Sequence, residues 1–490
     1  MTMNKTLIAS LLALGALAAC AFAQQKPNIV ILYADDLGYG DFKPNNPATK
    51  VPMPNLEKLA DQGMNFTDAH SSSGICSPSR YALLTGRAHW RDFHGIVNAF
   101  GKPAFKEGQL TLPAMLRAKG YATACIGKWH LGWNWDAVRK GKGITPDDFD
   151  WTKPIPGGPL DRGFDYYFGD EVINFPPYCW IENNKVIKAP DTMMDEKKWK
   201  NIKEGRWECR PGPMITGWNP YENLPTLTQK CIEYVLSRKG KEQPFFLYVP
   251  FPSPHAPIIP KDEYDGKSQA GPYGDYVYQT DDACGRILKA IEEIGQTGNT
   301  IVIFSADNGP ENYCLARKEK YGHWSSEPLR GQKRDIHEGG HRVPTVIRWP
   351  GVIKPGSTSH SLFAQTDLMA TFASLVGYEL PRNAAEDSFN FLPYLRSETD
   401  KGPRTAMVHN TSANAYAIRD GDWVLVNVTP AGANSGKKGQ AKTERIELFN
   451  LKEDISQKNN LASQHPDRVK AMQALLDKLY AQGHSAPRLD

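Results

Sequence analysis

Cysteine is sparse and unclustered in this chain. There are eight in 490 residues, none in a Cys-x-x-Cys pair or near a histidine at zinc spacing, which argues against a zinc finger or ribbon. Beyond the first 25 residues, no run approaches the roughly 18 apolar residues that a membrane helix needs. Charge of one sign is also lacking: 58 Lys and Arg face 54 Asp and Glu. A formal +4 over this length gives no basis for a nucleic-acid or membrane-surface partner, so any attraction for an anion must be local. Internal repeats and low-complexity tracts are absent, which excludes solenoid and fibrous classes.

What is present reads as an ordinary soluble globular protein, 40% hydrophobic and 23% charged. Its length exceeds what one core usually organises, so two domains are expected. The opening "MTMNKTLIASLLALGALAACAFAQQ" carries a lysine, an apolar stretch over 7–19 and small residues at its end, the layout of a secretory signal over 1–23. Two endings compete: "AFA" suits ordinary cleavage, whereas "LAAC" resembles a bacterial lipobox that would place a lipid anchor on Cys20. Either predicts export, to the periplasm, to the outer membrane as a lipoprotein, or into the medium. Export permits disulfides among Cys125, Cys179, Cys209, Cys231, Cys284 and Cys314, and the spacing does not choose a pairing.

"PNIVILYADD" is a β-branched run ending in two carboxylates, the pattern of a buried parallel strand delivering acids at its carboxyl end. "MPNLEKLADQG" and "LPAMLRAKG" have helical spacing with a glycine stop. "YATACIG" and "TIVIFSADNG" read as further strands, the second preceded by a helix in "YVYQTDDACGRILKAIEEIG". Strands alternating with helices predict an α/β domain over 24–385 with a largely parallel sheet. The Gly-, Pro- and Trp-rich stretch between about 134 and 220 reads as long loops. From 386 to 490 the pattern changes. "TAMVHNTSANAYAIRDGDWVLVNV" predicts two antiparallel strands joined at "RDGD", "RIELFNL" a third, and "HPDRVKAMQALLDKLYAQG" a terminal helix, together a small α+β subdomain.

Asp35 and Asp36 end one strand, and Asp307 and Asn308 end another: four oxygen donors of the kind a hard divalent cation prefers. Alone, "DD" and "DNG" are also ordinary turn formers. The segment "SSSGICSPSRYALLTGR" at 71–87 changes the balance. Cys76 has Ser72, Ser73, Gly74, Ser77 and Ser79 as neighbours, whereas a structural cysteine is normally ringed by apolar residues. This neighbourhood predicts a cysteine exposed at a turn.

Cys76, Ser77, Pro78, Ser79 and Arg80, with Leu84, Thr85 and Gly86, match the C-x-P-S-R-x-x-x-L-T-G signature of the type I sulfatases at every fixed position. The blocks "DDLGYGD", "GKWHLG", "PFFLYVPFPSPHAP", "ADNG" and "LRGQKRDIHEGG" are present in the expected order, as is the ending "ELFNLKEDISQKNNLA". Over essentially its whole mature length the chain resembles the formylglycine-dependent, exported carbohydrate sulfatases and arylsulfatases of bacteria. The resemblance implies an alkaline-phosphatase-like fold: a large, mainly parallel sheet flanked by helices, with a small C-terminal subdomain. It implies that a formylglycine-generating maturation enzyme converts Cys76 to formylglycine, reading Pro78 and Arg80. It further implies one Ca2+ held by Asp35, Asp36, Asp307, Asn308 and the modified residue 76.

Among the catalytic positions that the resemblance implies, Arg80 steadies the formylglycine hydrate, while Lys128, His130, His255 and Lys333 grip sulfate and move protons. His255 is the proton donor to the leaving alcohol, assisted by Lys333, and His130 the base that regenerates the aldehyde. A sulfate monoester needs charge stabilisation and a proton for its alkoxide, which metal, lysines and imidazoles can supply. The residues after Lys333 depart from the commonest family pattern, and His337 is a candidate for lining the substrate pocket. Trp129, Trp133, Trp135, Trp180, Trp207 and Trp324 lie in or beside the motif loops, where aromatic faces could stack on a sugar or simply pack. Trp129 is carried as the substrate-contact candidate. The expected substrate is a sulfated carbohydrate. Two other readings compete: a phosphatase or phosphodiesterase of the same superfamily, against which position 76 speaks, and a non-catalytic sulfated-glycan binder.

Overall fold

The computed structural model describes residues 26–199, 202–412, 415–431 and 446–487. The N-terminal apolar run and Cys20 lie outside the described residues. Among the described residues no helix is long and apolar enough to cross a membrane, and the seven cysteines there are buried and free.

The backbone of the catalytic unit is a mixed sheet. Its strand order runs Ser357–Ser359, Met64–Phe66, Val346–Arg348, Thr300–Ala306, Asn28–Ala34, Phe245–Pro250, Ala122–Ile126, Tyr166–Gly169, and then the short hairpin Ile181–Glu182 and Lys185–Val186. The five strands from Thr300–Ala306 to Tyr166–Gly169 are parallel. Their composition explains this: Asn28–Ala34 is apolar at nearly every position and wholly buried, so it needs cover on both faces. Ile29, Ile31 and Tyr33 enter one core with the helices Cys76–Thr85 and Asp367–Val376. Val30, Leu32 and Ala34 enter the opposite core with the helices Asn223–Leu236 and Gly271–Glu293. A residue-by-residue alternation between two apolar layers is what a parallel central strand requires.

The C-terminal sheet has four antiparallel strands, Ala406–Ser412, Ala415–Asp420, Trp423–Val428 and Glu447–Asn450, one more than the sequence suggests. "TAMVHNTSANAYAIRD" is two strands of a hairpin, with Ser412 opposite Ala415, where the sequence reads as one long strand. The terminal helix Pro466–Ala481 covers this sheet through Met472, Leu476 and Leu479. Residues 386–405, grouped by sequence with the C-terminal subdomain, pack elsewhere: Phe391, Leu392 and Leu395 belong to the large core, and the new sheet starts at Ala406.

His89 sits between the two units. Its Nδ1 is 2.8 Å from Ser72 Oγ and its Nε2 is 3.2 Å from Asn410 Oδ1. Burial pushes this imidazole down to about 3 from an ordinary 6.5. A depressed folded-state value stabilises the fold above pH 6.5, and that stability is lost as pH falls towards 3, at up to about 1.4 kcal/mol per pH unit. His89→Gln, which retains an amide donor and acceptor, is therefore expected to flatten the acid dependence. Between pH 7.5 and 5 the parent should lose about 2 kcal/mol more than the variant in urea titrations.

Candidate active site

Four of the charged motifs follow strands, and the strands they follow are neighbours. Asn28–Ala34 and Thr300–Ala306 pair in register with Ala34 opposite Ala306, so Asp35 and Asp36 emerge beside Asp307 and Asn308. Lys128 follows Ala122–Ile126 and His255 follows Phe245–Pro250, again at carboxyl ends, where open α/β sheets gather ligands. Arg80 and Cys76 come from the buried helix Cys76–Thr85, and Lys333 from the loop before Glu338–His341.

Every carboxylate in this cluster has a cation. Lys128 Nζ donates to Asp35 Oδ2. Arg80 donates from Nε and Nη2 to Asp307 Oδ2 at 3.0 and 2.7 Å. Lys333 Nζ donates to Asp36 Oδ2 at 2.8 Å and lies 3.1 Å from Glu311 Oε2. His255 Nε2 is 3.6 Å from Asp36 Oδ2. Asn308 Nδ2 donates to Asp36 Oδ1 at 2.7 Å and to the Gly309 carbonyl at 2.9 Å, which turns its Oδ1 the other way.

Two oxygens remain without hydrogen-bond partners though buried: Asp35 Oδ1, 3.6 Å from Arg80 Nη2, and Asn308 Oδ1. An unsatisfied buried acceptor normally costs about 1–3 kcal/mol. Hard oxygen donors with free lone pairs, in a set with Asp36 and Asp307, suit a calcium-class cation. Crowding tells the same story: burial first, then Asp35, pushes Asp307 up to about 7 in spite of Arg80. A dication on these oxygens would reverse that. Asp35, Asp36, Asp307 and Glu311 balance Arg80, Lys128, Lys333 and Arg334, so a bound dication would leave the cluster positive and receptive to an anion.

Both histidines have defined tautomers. A carbonyl only accepts, so His130 Nε2, 3.0 Å from Val97 O, carries the proton, and Nδ1 is a buried lone pair with no partner. Likewise His255 Nδ1, 2.6 Å from Ala256 O, carries the proton, and Nε2 faces the cluster. Burial lowers both imidazoles, reinforced at His130 by Lys128 and at His255 by Lys333. Asp36 and His130 have φ of +65° and +53°, the left-handed region that residues other than glycine rarely adopt and that clusters at functional sites.

Cys76 differs from its sequence-based expectation. It is 2% exposed, the first residue of a helix whose ten residues are all buried. Burial raises its thiol, against the pull of Lys128 and Lys333. The serines around it hydrogen-bond inward: Ser79 Oγ donates to Ser73 O at 2.9 Å, and Ser77 Oγ accepts from Val97 N at 3.0 Å. Inward bonding by the Ser77 and Ser79 hydroxyls, with the Ser73 hydroxyl buried and without a partner, gives a serine-rich neighbourhood without exposure. The first-turn N–H groups of this helix, which have no intrahelical acceptor, favour negative charge beside Cys76.

Comparison with known proteins agrees with this arrangement. Residues 27–378 match the family model described as Sulfatase. The chain belongs to the sulfatase family. Over 93% of both chains it is 33% identical to an N-acetylgalactosamine-6-O-sulfatase of Bacteroides thetaiotaomicron. A mouse N-acetylgalactosamine-6-sulfatase is 34% identical over 80% of this chain and 70% of its own length. Among solved structures, a sulfatase from work on glycosaminoglycan metabolism by Bacteroides thetaiotaomicron superposes with a TM-score of 0.78 at 30% identity, covering 94% of this chain and all of its own.

One substrate-contact candidate of this sulfatase is corrected, and the other is placed. Trp129 is fully buried, stacked 5.8 Å from Phe105 and donating from Nε1 to Gly132 O at 3.1 Å. It is a core side chain, as are Trp133 and Trp135; an aromatic next to a catalytic motif packs the motif onto the sheet. His337 Nε2 lies 2.8 Å from Glu447 Oε2, with its ring near Phe449, so it is engaged by the C-terminal sheet instead of the charged cluster. Glu311, which the motifs did not single out, pairs with both Lys333 and Arg334. Its position four residues after Asp307, in a loop already carrying two cluster members, is the signal that could have found it. Val97, which orients His130 through a backbone carbonyl, leaves no side-chain signature.

Proposed function

We propose that this sulfatase removes sulfate from a sulfated carbohydrate, using Cys76 matured to formylglycine and a calcium ion held by Asp35, Asp36, Asp307 and Asn308. The observation that carries the reading is the convergence of those four oxygen donors, Lys128 and His255 at adjacent strand ends with Arg80 from a helix and Lys333 from a loop. The matured side chain would supply a hydrated aldehyde as the nucleophile, and a calcium ion held by Asp35, Asp36, Asp307 and Asn308 would supply Lewis-acid polarisation beside it. Lys128 and Lys333 would hold sulfate oxygens and neutralise charge as the S–O bond breaks. His255 Nε2, once protonated in the presence of the anion, would give its proton to the departing sugar oxygen. His130 Nδ1, a desolvated lone pair, would accept the proton that must leave before sulfate is released.

Pro78 and Arg80 are buried in the folded chain, so a maturation enzyme that reads them acts before folding is complete. For the sugar, the names of the relatives favour 6-O-sulfated N-acetylgalactosamine, within or derived from a glycosaminoglycan. The test is inorganic sulfate release, by ion chromatography, from a panel of sulfated saccharides, using calcium-loaded protein coexpressed with a formylglycine-generating enzyme. The 6-sulfated N-acetylgalactosamine should exceed its 4-sulfated isomer by about 100-fold or more in kcat/KM. If mass spectrometry finds the aldehyde at position 76 and only phosphate esters are cleaved, the phosphatase reading takes its place.

A further inference from the structure

An exposed cation stands at the rim of the catalytic cluster without a carboxylate of its own. Arg210 lies in the loop before Pro213–Met214 and is exposed, yet it is fixed from backbone to guanidinium. Its N–H donates to the Asn174 carbonyl at 3.1 Å, and its carbonyl accepts from the buried Tyr178 hydroxyl at 2.6 Å. The guanidinium lies over the Phe175 ring, with Cζ 3.8 Å from the ring centroid, and Nη1 donates to Asn98 Oδ1 at 3.2 Å. Among the described residues no acidic side chain pairs with it.

The two groups that hold this guanidinium also lead to the reacting centre. Phe175, 4% exposed, meets the His130 ring at 90° with centroids 5.5 Å apart. Asn98 follows Val97, whose carbonyl accepts from His130 Nε2 at 3.0 Å and whose N–H donates at 3.0 Å to Ser77 Oγ, beside Cys76. One aromatic ring therefore separates Arg210 from His130, with Arg210 on the solvent side. A sugar linked to one whose sulfate sits in the cluster would lie over this rim.

What the guanidinium offers there follows from how it is held. Nη1 is turned to Asn98, which leaves the Nε–Nη2 edge with no protein partner. That edge presents two parallel N–H groups spaced for the two oxygens of one carboxylate. Stacking on Phe175 and the bond to Asn98 have already removed most of the side chain's freedom, so little more is lost when an anion pairs with it. Cover for Phe175 alone would call for no charge.

We propose that Arg210 is the specificity-determining residue of a second subsite, where its Nε–Nη2 edge binds the carboxylate of a uronic acid linked to the sulfated sugar. The proposal rests on the sulfated-carbohydrate function given above and adds the chemical class of the neighbouring sugar.

The test measures sulfate release by the full, matured, calcium-loaded chain. Its substrates are 6-sulfated N-acetylgalactosamine linked on either side to a uronic acid, the same disaccharides with the carboxyl reduced to an alcohol, and the methyl glycoside of the sulfated sugar. In one linkage order or both, the parent should prefer the acid to its reduced form by roughly tenfold in kcat/KM, with the difference carried by KM. Arg210→Met, which keeps an unbranched chain over Phe175, should bring that ratio to about one. A parent with no preference in either order, or a preference retained in Arg210→Met, would overturn the proposal. So would a loss of equal factor on acid and alcohol, which would make Arg210 only a support for His130 through Phe175. A neighbour carrying a sulfate ester and preferred to the uronic acid would overturn the carboxylate assignment. The methyl glycoside separates the two levels: if it is cleaved and the parent's ratio is one, this proposal alone fails, whereas if no sugar sulfate is cleaved the underlying function fails and the subsite with it.

Discussion

Cys76→Ala is expected to lower sulfate release by more than about 10,000-fold and to leave the fold intact. The substitution removes one sulfur from a side chain that is already small, at the start of a helix anchored along its whole length by buried residues. The cost to stability should be about 1 kcal/mol, the scale of a single buried heavy atom. Arg80, Lys128, Lys333 and the aspartates lose none of their partners, because their hydrogen bonds are to one another and to backbone. The variant should therefore still bind a sulfated sugar, with Kd close to the parent's KM, and turn none over. Ion chromatography for sulfate with calorimetry for binding would check both halves. Residual turnover within tenfold of the parent would remove Cys76 from the chemistry.

His255→Ala should cost about 100- to 10,000-fold on a sugar sulfate, the usual worth of a general acid, and less than about tenfold on 4-nitrophenyl sulfate. The difference follows from the leaving group: an alkoxide needs a proton as it departs, and a nitrophenolate does not. The structure places His255 Nε2 towards the cluster, with Nδ1–H held by Ala256 O, so only Nε2 can deliver that proton. Burial, then Lys333, holds this imidazole below its ordinary 6.5. A group needed in its protonated form supports activity below its pKa and loses it above. The parent's kcat/KM on sugar sulfates should thus fall as pH rises through the acid range, and that limb should vanish in the variant. Equal losses on both substrates would make His255 a positioning residue.

Much of this protein is legible from local sequence. A strand such as Asn28–Ala34, apolar on both faces, can be stable only inside a two-sided α/β layer. A "DD" or "DNG" directly after such a strand must stand at its carboxyl edge, since the chain has nowhere else to turn. The serine-rich signature was legible as chemistry but misleading as structure. Ser73, Ser77 and Ser79 look solvent-seeking, yet in the fold they satisfy backbone groups or take up buried positions around Cys76. Trp129 misleads the same way, for proximity in sequence to Lys128 and His130 says nothing about which side of the backbone a ring takes in the loop after Ala122–Ile126.

By itself, the sequence determined the strand–helix alternation, the four oxygen donors, the cationic partners and the family to which they belong, because each is written in a short contiguous motif. Only the tertiary structure decided which strands are neighbours. The pairing of Asn28–Ala34 with both Thr300–Ala306 and Phe245–Pro250 brings residues separated by more than 200 positions to one edge, and local propensity carries no information on such register. Long-range packing, driven by apolar burial on both sides of the sheet, fixes those meetings, and local chemistry acts only once they are made.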